Sequence, residues 1–359
     1  MEDIIVFGKG AYYKYKKEEI CKKYHVTAFL DNNACGEEVD GIRVYNPKDI
    51  GSLPKKPILI MASKKFFMSM VKQLLELNVS PSRIKMGLLE KPAFDAVENA
   101  LQSTNTLIKV VDGKLNIKYL DTVYEIKDID TFHRLAKQII DKNNPWIDRL
   151  KELPVDPLSR SFGTERGVAI DRYYIEKFLA DNKDKIVGTV IEVAEDTYTQ
   201  KYGTDVKDSY ILHVENWGDV GKKHMKMNLA TGEGVKENFA DCIVLTQTIQ
   251  MIYEVDEVIK NLKKLLKPGG VVLITAHCIG QISLNDYNNW GEYWRFTDLA
   301  FEKLLKKEFK DVKVQAYGNV KALICFLYGL CLEDMSEEEL DYFDAQYPMI
   351  VAASVRKEI

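Results

Sequence analysis

Short apolar runs separated by polar, helix-prone segments open the chain. Ile4-Ile5-Val6-Phe7 ends at Gly8-Lys9-Gly10, Val26-Thr27-Ala28-Phe29-Leu30 ends at Asp31-Asn32-Asn33, and Ile58-Leu59-Ile60-Met61 is a third run. Between residues 63 and 78, Phe67, Met70, Val71, Leu74, Leu75 and Leu77 recur at mostly helical spacing. Continuous apolar strands alternating with helices predict a parallel sheet with crossovers over residues 1–86. Residues 107–111 and 114–119 flank Asp112-Gly113. A two-residue Asp-Gly link between such runs predicts a type I′ hairpin, whose turn needs positive φ at both positions. Thr122-Val123-Tyr124-Glu125-Ile126 adds a third strand, and Phe132, Leu135, Ile139 and Ile140 mark one side of a helix over 129–142. Pro145, Pro154 and Pro157 then break both helix and strand. The expected divisions are 1–86, a hairpin and helix insert with linker over 87–160, and 161–359.

The last division carries the clearest order of signals. Ile170, Tyr174, Phe178 and Leu179 predict a helix over 169–182, and strands are expected at 188–194, 210–215 and 241–246. Val255, Val258, Ile259, Leu262, Leu265 and Leu266 recur at steps of three and four and mark one face of a helix. Lys267-Pro268-Gly269-Gly270 is expected to close that helix and turn the chain into a strand at 271–275. Residues 322–332 are almost wholly apolar but too short to cross a bilayer. They are expected to form a buried helix, with contact to a membrane or a partner as the alternative.

Composition narrows the function classes. The 359 residues are 46% hydrophobic and 29% charged, which is ordinary for a folded chain. The net charge of −4 lacks the broad positive field that phosphate-backbone binding needs, so nucleic acid is not an expected partner. No apolar run reaches a membrane-spanning length. Met1-Glu2-Asp3-Ile4 carries no secretory pattern, so a cytoplasmic protein is expected. Cysteines 21, 35, 242, 278, 325 and 331 lie far apart without a C-x-x-C pair, and read as free thiols with no metal site.

Two glycines of a G-x-G-x-x-G pattern, Gly8 and Gly10, precede Asp31 by about the distance at which an acid holds a ribose. Together they make a candidate nucleotide or nucleotide-sugar site. Tyr13 stands at the third glycine position and argues against NAD, and so against a nucleotide-sugar oxidoreductase. With Val6-Phe7-Gly8-Lys9-Gly10, Phe29-Leu30-Asp31-Asn32 and Gly41-Ile42-Arg43-Val44, the segment resembles the small Rossmann-like N-terminal domain of bacterial sugar-modifying acyltransferases.

Four later stretches matter together: Val190-Ile191-Glu192-Val193, Leu212-His213-Val214-Glu215, Phe239-Ala240-Asp241-Cys242-Ile243-Val244, and Leu265-Leu266-Lys267-Pro268-Gly269-Gly270-Val271. In this order they resemble the class I S-adenosylmethionine-dependent methyltransferases. A finer resemblance, to a bacterial subgroup of glycan biosynthesis, rests on Ile170-Asp171-Arg172-Tyr173-Tyr174, Asp196-Thr197-Tyr198-Thr199, Leu245-Thr246-Gln247-Thr248, Trp290 to Thr297, and Ala316-Tyr317-Gly318-Asn319-Val320. The implied fold is α/β, with two Rossmann-like doubly wound parallel sheets. The C-terminal sheet would have seven strands, the last two antiparallel and ending at Tyr317 and in 349–355.

The resemblance implies S-adenosylmethionine as cofactor, held by Glu192, Ala194, Glu195, Glu215, Asn228, Thr246 and Gln247. Glu215, at a strand end, suits the two ribose hydroxyls. Ala194 stands where the family usually has glycine; its methyl group is expected to crowd that end of the site, and the acids Glu195 and Asp196 to add negative charge near the cofactor carboxylate. Asn228 stands where an Asp often meets the adenine amine, and its amide oxygen offers the same acceptor. The sulfonium donor carries its own reactivity, so the protein must hold an acceptor in line and take its proton. His277 follows the strand ending at Thr275 and is the candidate base. Candidate substrate residues are Arg172, Tyr173, Tyr293, Trp294 and Arg295, the last able to pair with a phosphate or carboxylate. Histidines 25, 133, 213 and 224 read as structural or surface residues. The expected acceptor is a sugar or a nucleotide- or lipid-linked glycan in polysaccharide synthesis, and a homo-oligomer stays open. The alternative is a non-catalytic scaffold in a glycan assembly complex.

Overall fold

A computed structural model describes residues 1–33, 36–85, 96–100, 106–215 and 223–359, and Cys35 falls outside them. The chain divides into two compact units, Met1–Leu153 and Pro154–Ile359.

In the first unit, β1 (Glu2–Phe7), β2 (Tyr24–Leu30), β3 (Glu38–Val39), β4 (Ile42–Tyr45), β5 (Ile58–Ile60) and β6 (Ile84–Lys85) lie in the order β3-β4-β2-β1-β5-β6, parallel except for β3. Successive residues of β1 face opposite sides. Ile4 and Val6 pack toward α1 (Ala11–Lys23), while Ile5 and Phe7 pack toward α2 (Lys64–Glu76). Both faces are covered, which is why the strand reads as an unbroken apolar run. Tyr13 is buried edge-on against Phe29, with ring centroids 4.9 Å apart, and so fills space between helix and sheet that a glycine would leave open. Gly8 sits at φ +103°, and a Cβ there would lie 2.3 Å from the Met61 carbonyl oxygen. Gly10 has open space around it.

The hairpin strands β7 (Thr106–Val111) and β8 (Lys114–Tyr119) turn at Asp112 and Gly113, with φ of +50° and +71°, as the sequence pattern requires. With β9 (Thr122–Glu125) they form a three-stranded antiparallel sheet. Leu115 and Ile117 of this sheet share one core with Phe132, Leu135 and Ile139 of α3 (Ile129–Asn143) and with Ile58, Ile60 and Val71. The hairpin segment is therefore packed within the first unit. Beyond α3 the chain forms a short helix, α4 (Trp146–Lys151), within the proline-rich stretch expected to be irregular. Pro145 immediately precedes it, where a missing N–H costs nothing.

The second unit begins with α5 (Ile170–Asp181) and contains β10 (Val187–Val193), α6 (Thr197–Tyr202), β11 (Asp205–His213), β12 (Lys223–Lys226), β13 (Ala240–Thr246), α7 (Val255–Leu265), β14 (Leu266–His277), α8 (Leu284–Asn289), α9 (Asp298–Leu305), β15 (Asp311–Tyr317), α10 (Val320–Tyr328), α11 (Glu337–Asp341) and β16 (Ile350–Arg356). Its seven-stranded sheet has the order β12-β11-β10-β13-β14-β16-β15, with β16 antiparallel to both neighbours and the rest parallel. Strand β14 is longer than expected. Leu266 already pairs with Ala240, so Lys267-Pro268-Gly269-Gly270 forms an irregularity within the strand instead of a turn before it. The order of connection reverses between β10 and β13, and ligands of open α/β sheets bind at the carboxyl ends beside such a reversal.

The lead into α5 is clamped from the opposite end of the unit. Ala169 bridges Cys331, Leu332 N–H donates to the Val168 carbonyl at 2.7 Å, and Arg166 pairs with Asp334 at 2.8 Å. The Cys331 N–H and the Arg166 guanidinium hold the Asp334 carboxyl down to about 2. Its clamp is therefore intact above the unfolded carboxylate value of about 3.9 and is lost as pH falls toward the folded value.

Two measurements check this packing. Gly8→Ala is expected to lose roughly 2–4 kcal/mol in urea unfolding, because it combines a left-handed φ with a backbone clash, while Gly10→Ala changes stability by no more than about 1 kcal/mol. Asp334→Asn is expected to flatten the fall in stability across the window from about pH 4 to about pH 2, followed by circular dichroism during acid unfolding.

Candidate active site

Four strand ends of the second unit bring the chemistry-bearing residues together: β10 leads to Ala194, β11 to Glu215, β13 to Gln247, and β14 ends at His277. The strand cores beneath are almost wholly apolar. Ile191, Val244, Leu245, Leu273 and Ile274 are fully buried, so polar groups appear only where the strands stop.

His277 is buried, and its Nε2 lies 3.3 Å from Oδ2 of Asp171 on the first turn of α5. The pair is in contact but not aligned as a hydrogen bond, and Asp171 Oδ1 has no partner among the described residues. Catalytic contacts are often loose before substrate binds. Burial pushes the Asp171 carboxyl up, but His277 and the charge of Arg172 outweigh it and hold it below the usual carboxylate range. The Phe326 ring of α10 lies 5.7 Å from the imidazole, and Gly280 packs so close that a Cβ there would lie 3.5 Å from the ring. The imidazole is thus held from several sides. With Nε2 turned to Asp171, Nδ1 is the nitrogen left to accept a proton.

Asp171 was not singled out by its chemistry in the sequence, although a signal exists. It heads a helical row with Ile175 and Leu179, both buried, and an acid at the head of an apolar row must find a partner inside.

The first strand end answers whether the residues present fit S-adenosylmethionine. Ala194 adopts φ +69°, the left-handed bend that glycine usually makes, so the methyl group has not prevented the bend. Ala194, Glu195 and Glu215 are all exposed, which leaves this edge open. Glu192 is turned inward. Its carboxylate accepts N–H groups of Tyr198 and Thr199 and the Thr199 hydroxyl at 2.7–3.1 Å, capping α6 and fixing the loop. Burial pushes the Glu192 carboxyl up against these hydrogen bonds. Gln247 continues the pattern at the end of β13 with φ +46°, and its side chain joins Thr275 and Gln250 in a buried polar ladder. Gln250 Oε1 is buried without a partner among the described residues. Arg172 donates to Tyr198 Oη at 3.1 Å and supplies a cation whose partners include Asp171 and Glu195. An open bend, an exposed acid on the next strand and an unpaired buried carbonyl oxygen together fit an adenosyl group with an amino-acid tail.

Other candidate residues have structural engagements. The Asn228 amide oxygen accepts from the N–H groups of Ala230 and Thr231 and so folds its own loop. Thr246 is half-buried, and its carbonyl accepts the Thr248 hydroxyl. Tyr173 points to Asp341, 2.7 Å from its carboxylate; two positions along a helix, it lies on nearly the opposite side from Asp171. Trp294 donates its indole N–H to Ile252 O at 3.1 Å and stacks on Tyr253 and Phe296. Arg295 pairs with Glu292 and donates to the Trp294 and Gln281 carbonyls, so its guanidinium ties the 280–296 segment together. That segment is joined to the dyad by Phe296 N–H donating to the His277 carbonyl at 3.1 Å. Tyr293 remains exposed, edge-on to Tyr253, and Trp290 reaches across to His213 with ring centroids 5.4 Å apart. Helix α10 is only half-buried, with Ala322, Leu323 and Phe326 inward and Ile324 and Leu327 partly exposed.

In the first unit, Gly8, Gly10 and Asp31 meet at the carboxyl edge of the sheet, but Asp31 already accepts the Lys9 N–H at 3.4 Å and the Asn33 N–H at 2.9 Å. Among the described residues no cluster of side chains has the makings of a metal site, and no helix is long and apolar enough to cross a membrane.

Comparison with known proteins agrees with the second unit's topology. Residues 157–307 match the family described as a methyltransferase domain, and residues 1–85 match the family described as C2185-like, N-terminal. No curated protein matches the chain. Similar solved structures include the N-methyltransferase NodS from Bradyrhizobium japonicum WM9 in complex with S-adenosyl-l-homocysteine, at 14% identity over 54% of this chain and 89% of that one, with a TM-score of 0.34. An S-adenosylmethionine-dependent methyltransferase from Mesorhizobium loti has 13% identity over 53% and 98%, with a TM-score of 0.37. The [4+2]-cyclase SpnF has 13% identity over 62% and 94%, with a TM-score of 0.38. At these values nothing rests on the three likenesses. The family match stands with the sheet order: the second unit carries a class I S-adenosylmethionine-dependent methyltransferase domain, the protein is an enzyme of that kind, and S-adenosylmethionine is its cofactor.

The bend at Ala194 yields a direct check. Ala194→Gly is expected to relieve left-handed strain and raise stability by about 0.5–1 kcal/mol in denaturant unfolding, where glycine inside an ordinary strand would lower it.

Proposed function

We propose that the protein methylates a hydroxyl of a sugar, carried by a nucleotide or a lipid, in the cytoplasmic steps of bacterial polysaccharide synthesis, with His277 as general base. The observation that carries this reading is the buried pairing of His277 with Asp171 at the carboxyl edge of the sheet. An N-methyltransferase acting on a neutral amine has less need of such a base, whereas a sugar hydroxyl is a poor nucleophile until its proton is taken.

S-adenosylmethionine, when bound, supplies an electrophilic methyl group on a positively charged sulfur. Glu215 would hold the ribose hydroxyls, and the backbone at Ala194 and Gln247 would lie against the cofactor. Arg172 offsets the negative charge of Glu195 and would meet the carboxylate of the amino-acid tail. At the acceptor, His277 Nδ1 would take the hydroxyl proton, leaving the oxygen as the nucleophile toward that methyl group. Asp171 acts through His277: it fixes the tautomer and stabilises the imidazolium. Exposed rings of Trp290 and Tyr293, on the segment tied to His277, and of Tyr253, edge-on to Tyr293, support a sugar as the acceptor.

The acids Glu195 and Asp196 beside the bend favour the second reading, a non-catalytic scaffold, and one experiment separates the two. Titration calorimetry of the full chain with S-adenosylhomocysteine is expected to show binding that Glu215→Ala weakens roughly ten-fold or more. With labelled S-adenosylmethionine and a panel of nucleotide sugars, His277→Ala is expected to cut transfer by a factor of about a hundred to ten thousand with homocysteine-product affinity unchanged. Absence of heat at millimolar ligand supports the scaffold instead. Equal turnover by His277→Ala removes the base.

A further inference from the structure

The first unit has a cleft of about 610 Å³ between α2 and the β-hairpin sheet, lined by none of Gly8, Gly10 and Asp31. Its size falls within the range of small-molecule sites. One wall is a single face of α2: Lys65, Ser69 and Lys72 recur at steps of four and three, with Met68 beside them. The facing wall comes from the turn after β7 and the exit of β9, with Gly113, Lys114, Lys127 and Asp128. Met68, Leu115, Ile126 and Ile129 give the cleft an apolar floor.

The charges in this cleft do not cancel. Glu125 is shared between Lys114, at 3.2 Å, and Lys127, at 3.6 Å. Asp128 spends its carboxylate capping α3, accepting the Thr131 N–H at 2.8 Å. Lys72 reaches Glu76, one turn along α2 and outside the cleft lining, at 3.6 Å. Lys65 lies over the Phe66 ring and has no carboxylate partner among the described residues. Four ammonium groups thus face two carboxylates, in a chain whose overall charge is negative. Lysines pack apolar stems and project solvated charges, so opposing rows of them over an apolar floor make a receptor for an anion with an organic body.

We propose that this cleft binds the diphosphate group of an organic diphosphate, with one phosphate drawn to the Lys65 and Lys72 wall and the other to the Lys114 and Lys127 wall. Two walls of cations call for two separated anionic centres. The Gly113 backbone adds a hydrogen-bond donor, and the floor takes the first part of the attached group. A nucleoside diphosphate and a prenyl diphosphate share this chemistry, and the test distinguishes them.

Calorimetric titrations of the full chain would use three probes: inorganic pyrophosphate, UDP and geranyl diphosphate. All three are expected to bind, more weakly as salt rises, and Lys65→Gln/Lys127→Gln is expected to reduce affinity about ten-fold or more. Both positions are exposed, so the variant should keep its unfolding midpoint, which is measured alongside. Asp31→Asn, outside the cleft lining, is expected to leave binding unchanged. Tighter binding of UDP than of pyrophosphate identifies a nucleoside end, and tighter binding of geranyl diphosphate a lipid end; either supports the cleft. The proposal is overturned if none of the probes binds at millimolar concentration, if the lysine variant binds as the unaltered chain does, or if Asp31→Asn abolishes binding.

Discussion

A fully buried carboxylate has few ways to remain charged, and for Asp171 these include His277 and Arg172. Desolvation of a lone carboxylate in an apolar interior costs several kcal/mol, and the cost is met only by a partner at short range. That requirement ties the first turn of α5 to the last residue of β14, 3.3 Å apart at the Asp171–His277 contact. Around it, Phe326 of α10 and the turn at Gly280 close on the imidazole. The clamp between 166–169 and 331–334 then fixes where α5 begins. Elements distant in the chain are held in one place by one unfavourable burial and its remedy. The same arrangement leaves a single imidazole nitrogen for a reacting group.

The cofactor edge is organised by a different constraint, backbone geometry. Left-handed residues at Ala194 and Gln247 end adjacent strands, and neither is glycine. Such conformations persist where the surroundings over-determine them, and they gather at sites that use them. Here Glu192 does the determining at β10: its carboxylate is drawn into the first turn of α6. The outward acid is Glu215, one strand over.

Much of the sheet was legible because buried strands and amphipathic helices carry strong periodic signals. The type I′ turn at Asp112-Gly113 was legible for a similar reason, since few dipeptides accept two positive φ values. The irregular start of β14 was not, because Lys267-Pro268-Gly269-Gly270 reads locally as a turn and only pairing with Ala240 and the strand beyond keeps it in the sheet. The short helix after Pro145 was hidden by prolines that prevent a helix from continuing but not from starting. The end of β14 near His277 could be read from the apolar run before it, while the contact of His277 with Asp171 required knowing what faces it. The aromatic run from Trp290 to Phe296 showed a cluster without showing its division of labour. Trp294 and Arg295 hold the segment, and Trp290 and Tyr293 keep exposed faces. Likewise Asn319 of the Gly318-Asn319 pair caps α10 by accepting the Ala322 N–H.

The most direct measurement is a crystal structure of the full chain with S-adenosylhomocysteine. The account predicts ribose hydroxyls on Glu215, backbone contact at Ala194, and the sulfur facing the side of the site where His277 Nδ1 opens. A product molecule seated elsewhere, or an imidazole that has left Asp171 and turned from the sulfur, would contradict it.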